Sequence, residues 1–364
     1  MSIYKTPLLL ENLPGVESHQ SSWPWTEQVP LLTERMANGC KWPRISIVTP
    51  SYNQGQFLEE TIRSVLLQGY PNLEYILIDG GSTDNSLEII EKYQQYLDYW
   101  VSEPDRGPAD AINKGWNRAT GEIVAYLNSD DVYLPGTLAM ISRKFHHKPT
   151  ASAICGNELA IDSQGMVLRQ SNVGQITHQS LMSLHFIPQP ATFIRRSTLN
   201  QVGSLALEEK YTFDFELWLR LTRTGLIELI PDVLAATRWH DQTITMTRRL
   251  EIGRDLAKLV TTEVERFTPK LAPLEKKKLL FSLNTFVIGL HLEKDKFASS
   301  IQYASVAFHT APNLLSRLKL MKMYIEYWRS KYFHFLASPS QIDVGEKYPK
   351  VHWSKIAELS LTSN

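Results

Sequence analysis

The chain has 364 residues, 43% hydrophobic and 21% charged, with a formal net charge of +0. That composition suits one large globular domain or a medium domain with an appendage, and zero net charge argues against bulk attraction to nucleic acid. Two cysteines, Cys40 and Cys155, rule out a disulfide framework or a cysteine-based metal site and fit a reducing compartment.

Residues 1–43 carry Pro7, Pro14, Pro24, Pro30 and Pro43 with Trp23, Trp25 and Trp42 among them. Prolines at that density disfavour long helices, while tryptophans are costly to expose, so the expectation is an extended arm laid over the main domain. The only early apolar run is Leu8–Leu10, so no signal peptide is expected, and no stretch approaches the roughly 18 apolar residues of a spanning helix. The expected setting is cytoplasmic.

At Arg44 strands and helices begin to alternate. Ile45–Thr49 reads as a strand, and Leu58, Ile62, Val65 and Leu66 then share one helical face. Leu73–Asp79 is a second strand, and Asn85 with Glu88 resembles a capping box for the next helix. A short Tyr99–Ser102 strand precedes a helix that carries Asp110, Asn113 and Lys114 on one side. Ile123–Leu127 is the fourth strand, and Pro135 is placed to open the following helix. This order predicts a mostly parallel α/β sheet.

Three of these strands end in polar clusters: Thr49 to Asn53, Asp79 to Asp84, and Asn128 to Asp131. In open α/β sheets the ligand crevice lies beyond the carboxyl ends of the strands. Asp130 and Asp131 could cap the next helix, but together they also suit a hard divalent cation bridging phosphates. No Gly-x-x-x-x-Gly-Lys-Ser/Thr loop and no Gly-x-Gly-x-x-Gly after a strand is present, so phosphates would have to be held through metal.

The stretches Ile47–Asn53, Ile78–Asp84, Ser102–Gly115 and Leu127–Asp131 resemble, in order, the motifs of inverting glycosyltransferases of family 2. That resemblance implies a GT-A fold, which is a Rossmann-like, mostly parallel sheet flanked by helices, here with a helical C-terminal appendage. It implies a nucleotide-diphosphate-sugar donor and Mn²⁺ or Mg²⁺. Thr49, Pro50, Ser51 and Asp79 would meet the base or ribose. Asn53, Ser82, Asp84, Glu103, Arg106, Asp110, Asn113 and Lys114 would complete the donor site with Asn128 and Ser129. Asp130, Asp131 and His240, the last from Arg238-Trp-His240, would hold the metal. Asp214, in Tyr211–Arg220, matches the family's general base. Two positions depart from the pattern. Asn128 stands where an acid is usual and adds no charge toward the metal, and Phe213 replaces the acid before Asp214.

Ala153–Gly156, Glu158–Ile161, Met166–Leu168 and Val233–Thr237 read as further strands, with a turn at Asp162–Gly165. The stretch from Phe186 to Arg196 resembles the family's acceptor-side segment. Helices are expected over Leu250–Val264, Leu274–Leu292, Phe297–Ala311 and Leu314–Phe335, then a loose tail. The domain expectation is an arm (1–43), a GT-A domain (44–246), a helical region (247–338) and a tail (339–364). Residues 314–335 mix Arg317, Lys319, Lys322, Arg329 and Lys331 with Leu318, Met321, Trp328 and Tyr332. Such a helix packs on its neighbours or rests on an anionic membrane surface.

The resulting expectation is an inverting transferase that moves a sugar to a saccharide or lipid-linked hydroxyl, in surface polysaccharide or glycoconjugate assembly. A non-catalytic nucleotide-sugar-binding module is the alternative from a different class. A nucleotidyltransferase would usually bring a basic glycine-rich loop that the sequence lacks.

Overall fold

The computed structural model describes residues 8–18, 20–267, 271–294, 296–336 and 352–356. The chain divides into two compact units. The first comprises residues 1–177, 186–240 and 348–364, and the second residues 178–185 and 241–347.

The first unit is built on β1 (Ile45–Ser51), α1 (Gly55–Leu66), β2 (Leu73–Asp79), α2 (Ser86–Tyr93), β3 (Tyr99–Ser102), α3 (Pro108–Arg118) and β4 (Ile123–Tyr126). After these come β5 (Val132–Tyr133), α4 (Thr137–His147), β6 (Ala151–Ile161) and β7 (Val167–Gln170). Beyond α5 (His178–Met182), which belongs to the second unit, follow β8 (Thr192–Arg195), α6 (Arg196–Val202), α7 (Phe213–Thr224) and β9 (Leu226–Arg238). The sheet runs β3-β2-β1-β4-β8-β6-β9-β5, with β7 paired to β6. β1 to β4 are mutually parallel, and β8 enters antiparallel between β4 and β6. The sequence reading of an α/β sheet flanked by helices holds.

The parallel half is apolar on both faces because helices cover both. Ile45, Ile47, Val48, Leu77 and Ile78 are fully buried, and α1 sets Leu58, Ile62 and Val65 against them. The N-terminal arm is part of this core. Trp23 is buried and donates its indole N–H to the Tyr133 carbonyl at 3.0 Å. Arg63 of α1, also buried, donates to the carbonyls of Pro14, Pro24 and Trp25 and to the Tyr93 hydroxyl. One guanidinium thereby satisfies three carbonyls of a proline-broken segment that has no helix or strand partner for them.

Several local expectations shift. The two strands read around Gly156 form one, β6, which pairs in parallel with β9 through register shifts. Gly156 packs so close to β9 that a Cβ there would lie 2.6 Å from Leu234 and 2.8 Å from the Asp232 carbonyl. Helix α4 begins at Thr137 behind Gly136 (φ 78°), so Pro135 lies outside it. Asn85 makes no side-chain cap on α2; Asp84 Oδ1 instead accepts the Ser86 N–H at 3.0 Å. Residues 352–356, expected in a loose tail, pack in the first unit, with Trp353 fully buried and His352 bridged to Met166. The rest of that tail lies outside the described residues.

The second unit holds α5 and α8 (Ile244–Thr247), α9 (Arg249–Phe267), α10 (Pro273–Glu293), α11 (Phe297–Thr310) and α12 (Leu314–Leu336). Its inner contacts include Phe281, Ile288 and Leu292 of α10 against Ala307 and Leu320. A buried carboxylate, Glu263, receives His178 at 2.9 Å and Arg266 at 3.7 Å. No described helix is long and apolar enough to cross a membrane.

Candidate active site

The carboxyl ends of β1, β2 and β4 open side by side, because the three strands are parallel neighbours in register. The β1 and β2 ends are tied to each other. Asn53, in the left-handed region at φ 51°, gives its N–H to Ser82 Oγ and receives the Thr83 N–H on Oδ1. Asp79 is fully buried and accepts from the N–H groups of Gly81 and Ser82 and the hydroxyls of Ser82 and Ser102. Asp84 receives the Gly55 N–H at the start of α1, and these hydrogen bonds hold its carboxyl below the usual range against partial desolvation.

Asp79, Ser82, Asn53 and Asp84 spend their polar atoms on shaping the loops. Thr49 is buried, with its hydroxyl 3.1 Å from that of Tyr75. Pro50 is buried beside it. Ser51 is different: its hydroxyl is buried at the strand end and finds no partner among the described residues. An unsatisfied buried hydroxyl costs about 1–3 kcal/mol unless a ligand or water completes it.

Asp105 was not singled out in the sequence, although it sits inside Glu103-Pro-Asp-Arg-Gly. Its Oδ2 lies so close to Gly80 that a Cβ there would approach it to 2.7 Å. Burial raises the Asp105 carboxyl, and the charges of Asp110 and Asp79 add to this while Lys114 opposes it. Around it Lys114 pairs with Glu103 at 2.7 Å and Arg106 with Asp110 at 2.9 Å. Asn113 points elsewhere, exchanging two hydrogen bonds with the backbone of Leu205. It fixes the loop before α7.

At the end of β4 the acidic pair separates. Asp131 is buried. Its Oδ1 accepts the Arg238 N–H at 2.9 Å and its Oδ2 accepts the Asn128 amide at 3.2 Å. Desolvation drives the Asp131 carboxyl well above its usual range, and the nearby Asp130 and Glu158 push the same way. Asp130 is more open, with Oδ2 lying 3.2 Å from His240 Nε2. Ser129 between Asn128 and Asp130 is buried. Of the expected metal trio, Asp130 and His240 are in contact, while both oxygens of Asp131 accept hydrogen bonds from the protein. Among the described residues no group of three or more His, Cys, Asp or Glu side chains is arranged to hold a metal.

Arg238, at the end of β9, holds this corner together. Its guanidinium pairs with Glu60 at 2.5 Å, donates from Nε to the Asp130 carbonyl at 3.0 Å and lies 4.6 Å over the Phe57 ring. His240 lies against the same ring, 5.0 Å between centroids and tilted by 46°. Burial raises the Glu60 carboxyl, partly offset by Arg238, His352 and Trp353. Glu60 carried no signal in sequence beyond being one more polar residue on the outer face of α1.

Asp214 occupies the first turn of α7 and receives the Phe215 N–H at 2.7 Å. Desolvation pushes its carboxyl up to about 6, against the backbone hydrogen bonds. Tyr126, at the end of β4, stands near both acids: burial raises its phenol, and the charges of Asp214 and then Asp131 raise it further. Gln189 joins the corner by donating to the Tyr126 carbonyl at 2.8 Å and accepting from Asn128 at 3.3 Å. Glu216, two residues beyond Asp214, is bound bidentately by Arg220, which also holds the carbonyls of Val202, Gly203 and Ser204. The charges of Asp214 and Asp131 thus both act on the Tyr126 phenol, within the unit that also holds the Asp130–His240 pair.

Residues 46–203 match the family model for glycosyl transferase family 2. An uncharacterized glycosyltransferase of Rickettsia prowazekii is 29% identical over 276 residues, covering 72% of this chain and 84% of that protein. Among solved structures, S. aureus TarS in complex with UDP-GlcNAc superposes with a TM-score of 0.52 at 17% identity, over 78% of this chain and 92% of that one. The mannosyltransferase PcManGT of Pyrobaculum calidifontis, in complex with GDP-Man and Mn²⁺, superposes with a TM-score of 0.51 at 16% identity, over 85% and 86%. Through residues 46–203 the chain is similar to glycosyltransferase family 2, and it shares its fold with these two structures.

Proposed function

We propose that this chain transfers a sugar, with inversion, from a nucleoside-diphosphate donor to a hydroxyl of a saccharide or lipid-linked acceptor, in the assembly of a surface polysaccharide or glycoconjugate. The observation that carries this reading is Asp214, whose carboxyl burial pushes up to about 6 beside Tyr126, in the unit that also holds the Asp130–His240 pair. A base with that proton affinity is mostly ionised at neutral pH yet basic enough to accept a hydroxyl proton in the transition state.

The donor set at Asp130 and His240 fits a divalent cation of modest demand. One carboxylate oxygen and one imidazole nitrogen already converge, and such ions commonly complete their shell with water and substrate phosphate. Asp130 and His240 would hold it. When bound, the ion would neutralise charge building on the departing diphosphate. The chain's own residues do the rest. Arg238 fixes the backbone of Asp130 and the carboxylate of Asp131, so the Asp130 side chain is presented from a rigid corner. Ser51, whose hydroxyl has no partner among the described residues, and Asp105, in the β3–α3 loop beside Gly80, are assigned to the nucleoside. Asn128, which replaces an acid of the family pattern, supports Asp131 and Gln189.

The test is a thermal-shift screen of nucleotide sugars with and without Mn²⁺, followed by product analysis. A bound donor at about 100 times its Kd adds roughly 2.7 kcal/mol of stability. Released nucleoside diphosphate supports the proposal. Released pyrophosphate would point to nucleotidyl transfer, and donor binding with no turnover on any acceptor or on water would point to a binding module.

A further inference from the structure

The second unit carries an exposed apolar stripe with a basic border. On α12, Leu314, Leu318, Met321 and Ile325 recur at i, i+4, i+7 and i+11, and each is at least half exposed. Leu315 beside them is 75% exposed, while Leu320 faces inward to Ala307 and α10. Next to the stripe a groove of about 380 Å³ runs between α11 and α12, lined by Ala304, Phe308, Leu320, Met321, Tyr324 and Ile325. Contiguous aliphatic side chains of this kind are seldom left to water unless something covers them.

The charges around the stripe indicate what that is. Lys319 and Lys322 are exposed on α12, and the Arg317 guanidinium lies 4.7 Å over the Phe308 ring at the groove mouth. Glu326, 3.5 Å from Lys322, is the only acid in residues 314–336, against five Lys or Arg, in a chain whose net charge is zero. A second copy docked by a two-fold contact along α12 would set these cations against their own counterparts. A bilayer bearing anionic headgroups accepts both components at once: aliphatic side chains enter the acyl boundary while Lys and Arg stay at the phosphate level. No described helix could span the bilayer, so the contact would lie on it.

We propose that the α11–α12 face is a docking surface for an anionic membrane, with Leu314, Leu318, Met321 and Ile325 inserted and Arg317, Lys319 and Lys322 at the headgroups. The inference is independent of the transferase reading, since it uses residues of the other unit alone.

The test is co-sedimentation of the full chain with phosphatidylcholine vesicles with and without about one third phosphatidylglycerol, alongside sedimentation equilibrium without lipid. Binding should require the anionic lipid and should fall steeply as salt rises to about 0.5 M. Lys319→Glu with Lys322→Glu should weaken it by about 25-fold or more, taking the usual contribution of each cation near such a surface. Leu318→Ser with Met321→Ser should also weaken it, with the protein still folded because both side chains are at least half exposed. Absent binding, equal binding to neutral vesicles, or parental binding by both double variants would overturn the proposal. A lipid-free dimer abolished by Leu318→Ser with Met321→Ser would assign the face to a second copy instead.

Discussion

Asp130 Oδ2 lies 3.2 Å from His240 Nε2, although the two residues are 110 positions apart. The contact exists because β9 ends beside the β4 terminus, where Arg238 ties its own N–H to Asp131 and its guanidinium to the Asp130 carbonyl. Two neighbouring aspartates thereby acquire opposite tasks, one facing the crevice and one facing the protein.

That division predicts different phenotypes. Asp130→Asn should abolish most of the Mn²⁺ dependence of donor binding while costing less stability than the change at Asp131, since its side chain is less buried. Asp131→Asn should keep the metal dependence and cost about 1–3 kcal/mol, because its new amide meets the Arg238 N–H or the Asn128 amide donor to donor. Titration calorimetry with and without chelator, paired with urea melts, distinguishes the two.

Glu60 makes a second prediction. With Arg238 buried, Glu60→Gln leaves a guanidinium without its anion, and a loss of about 3 kcal/mol is expected. Donor affinity in Mn²⁺ should fall as well, since Arg238 no longer holds the Asp130 backbone firmly, while affinity in chelator should change little. Denaturant melts and donor titrations in the two buffers check this.

Much of the fold was legible in sequence, and the reason is local. β1 to β4 are apolar runs separated by helices of clear 3.6-residue period, and parallel strands joined that way have few alternatives. The later sheet was not, because β6 and β9 pair across more than 70 residues through register shifts, and Gly156 reads locally as a break. In the site, Asp130, Asp214 and His240 stand out in sequence by motif alone. The inward turn of Asp131 does not, since the direction of a loop side chain depends on partners, here Arg238 and Asn128, that lie far away in the chain or on the same turn. The Glu60–Arg238 pair, the unpartnered buried hydroxyl of Ser51 and the burial of Trp353 are likewise facts of tertiary packing that no short pattern encodes.

The arm gives a test of that packing. Trp23→Ala should destabilise the protein by about 3–5 kcal/mol, as a buried large aromatic does. Arg63→Met should cost about as much, because three arm carbonyls lose their donor. Both losses should appear in one cooperative transition if the arm is part of the core; an early separate transition would mean it is not.

The acidity of Asp214 sets the pH behaviour. As the ionised form is the base, kcat/KM should rise about tenfold per pH unit below pH 6 and level off above it. Its folded-state pKa is raised above the ordinary value of about 4, so its contribution to stability is full below that value and is lost as pH rises through 6. Asp214→Asn should therefore be at least as stable as the parent at pH 7.5, with the advantage gone by pH 4. Thermal melts across that range read the sign directly.

The central claim, that Asp214 is the base of a sugar transfer, is tested most directly by comparing donor binding with turnover in Asp214→Asn. The change is nearly isosteric and removes the proton acceptor. The account predicts donor affinity within about threefold of the parent and nucleoside-diphosphate release reduced at least about 100-fold, as for other general bases. Glu216→Gln is the control: it loosens the Arg220 pair and lowers stability while keeping most of the turnover. Release by Asp214→Asn at near-parental rate, with Glu216→Gln inactive though folded, would contradict the assignment.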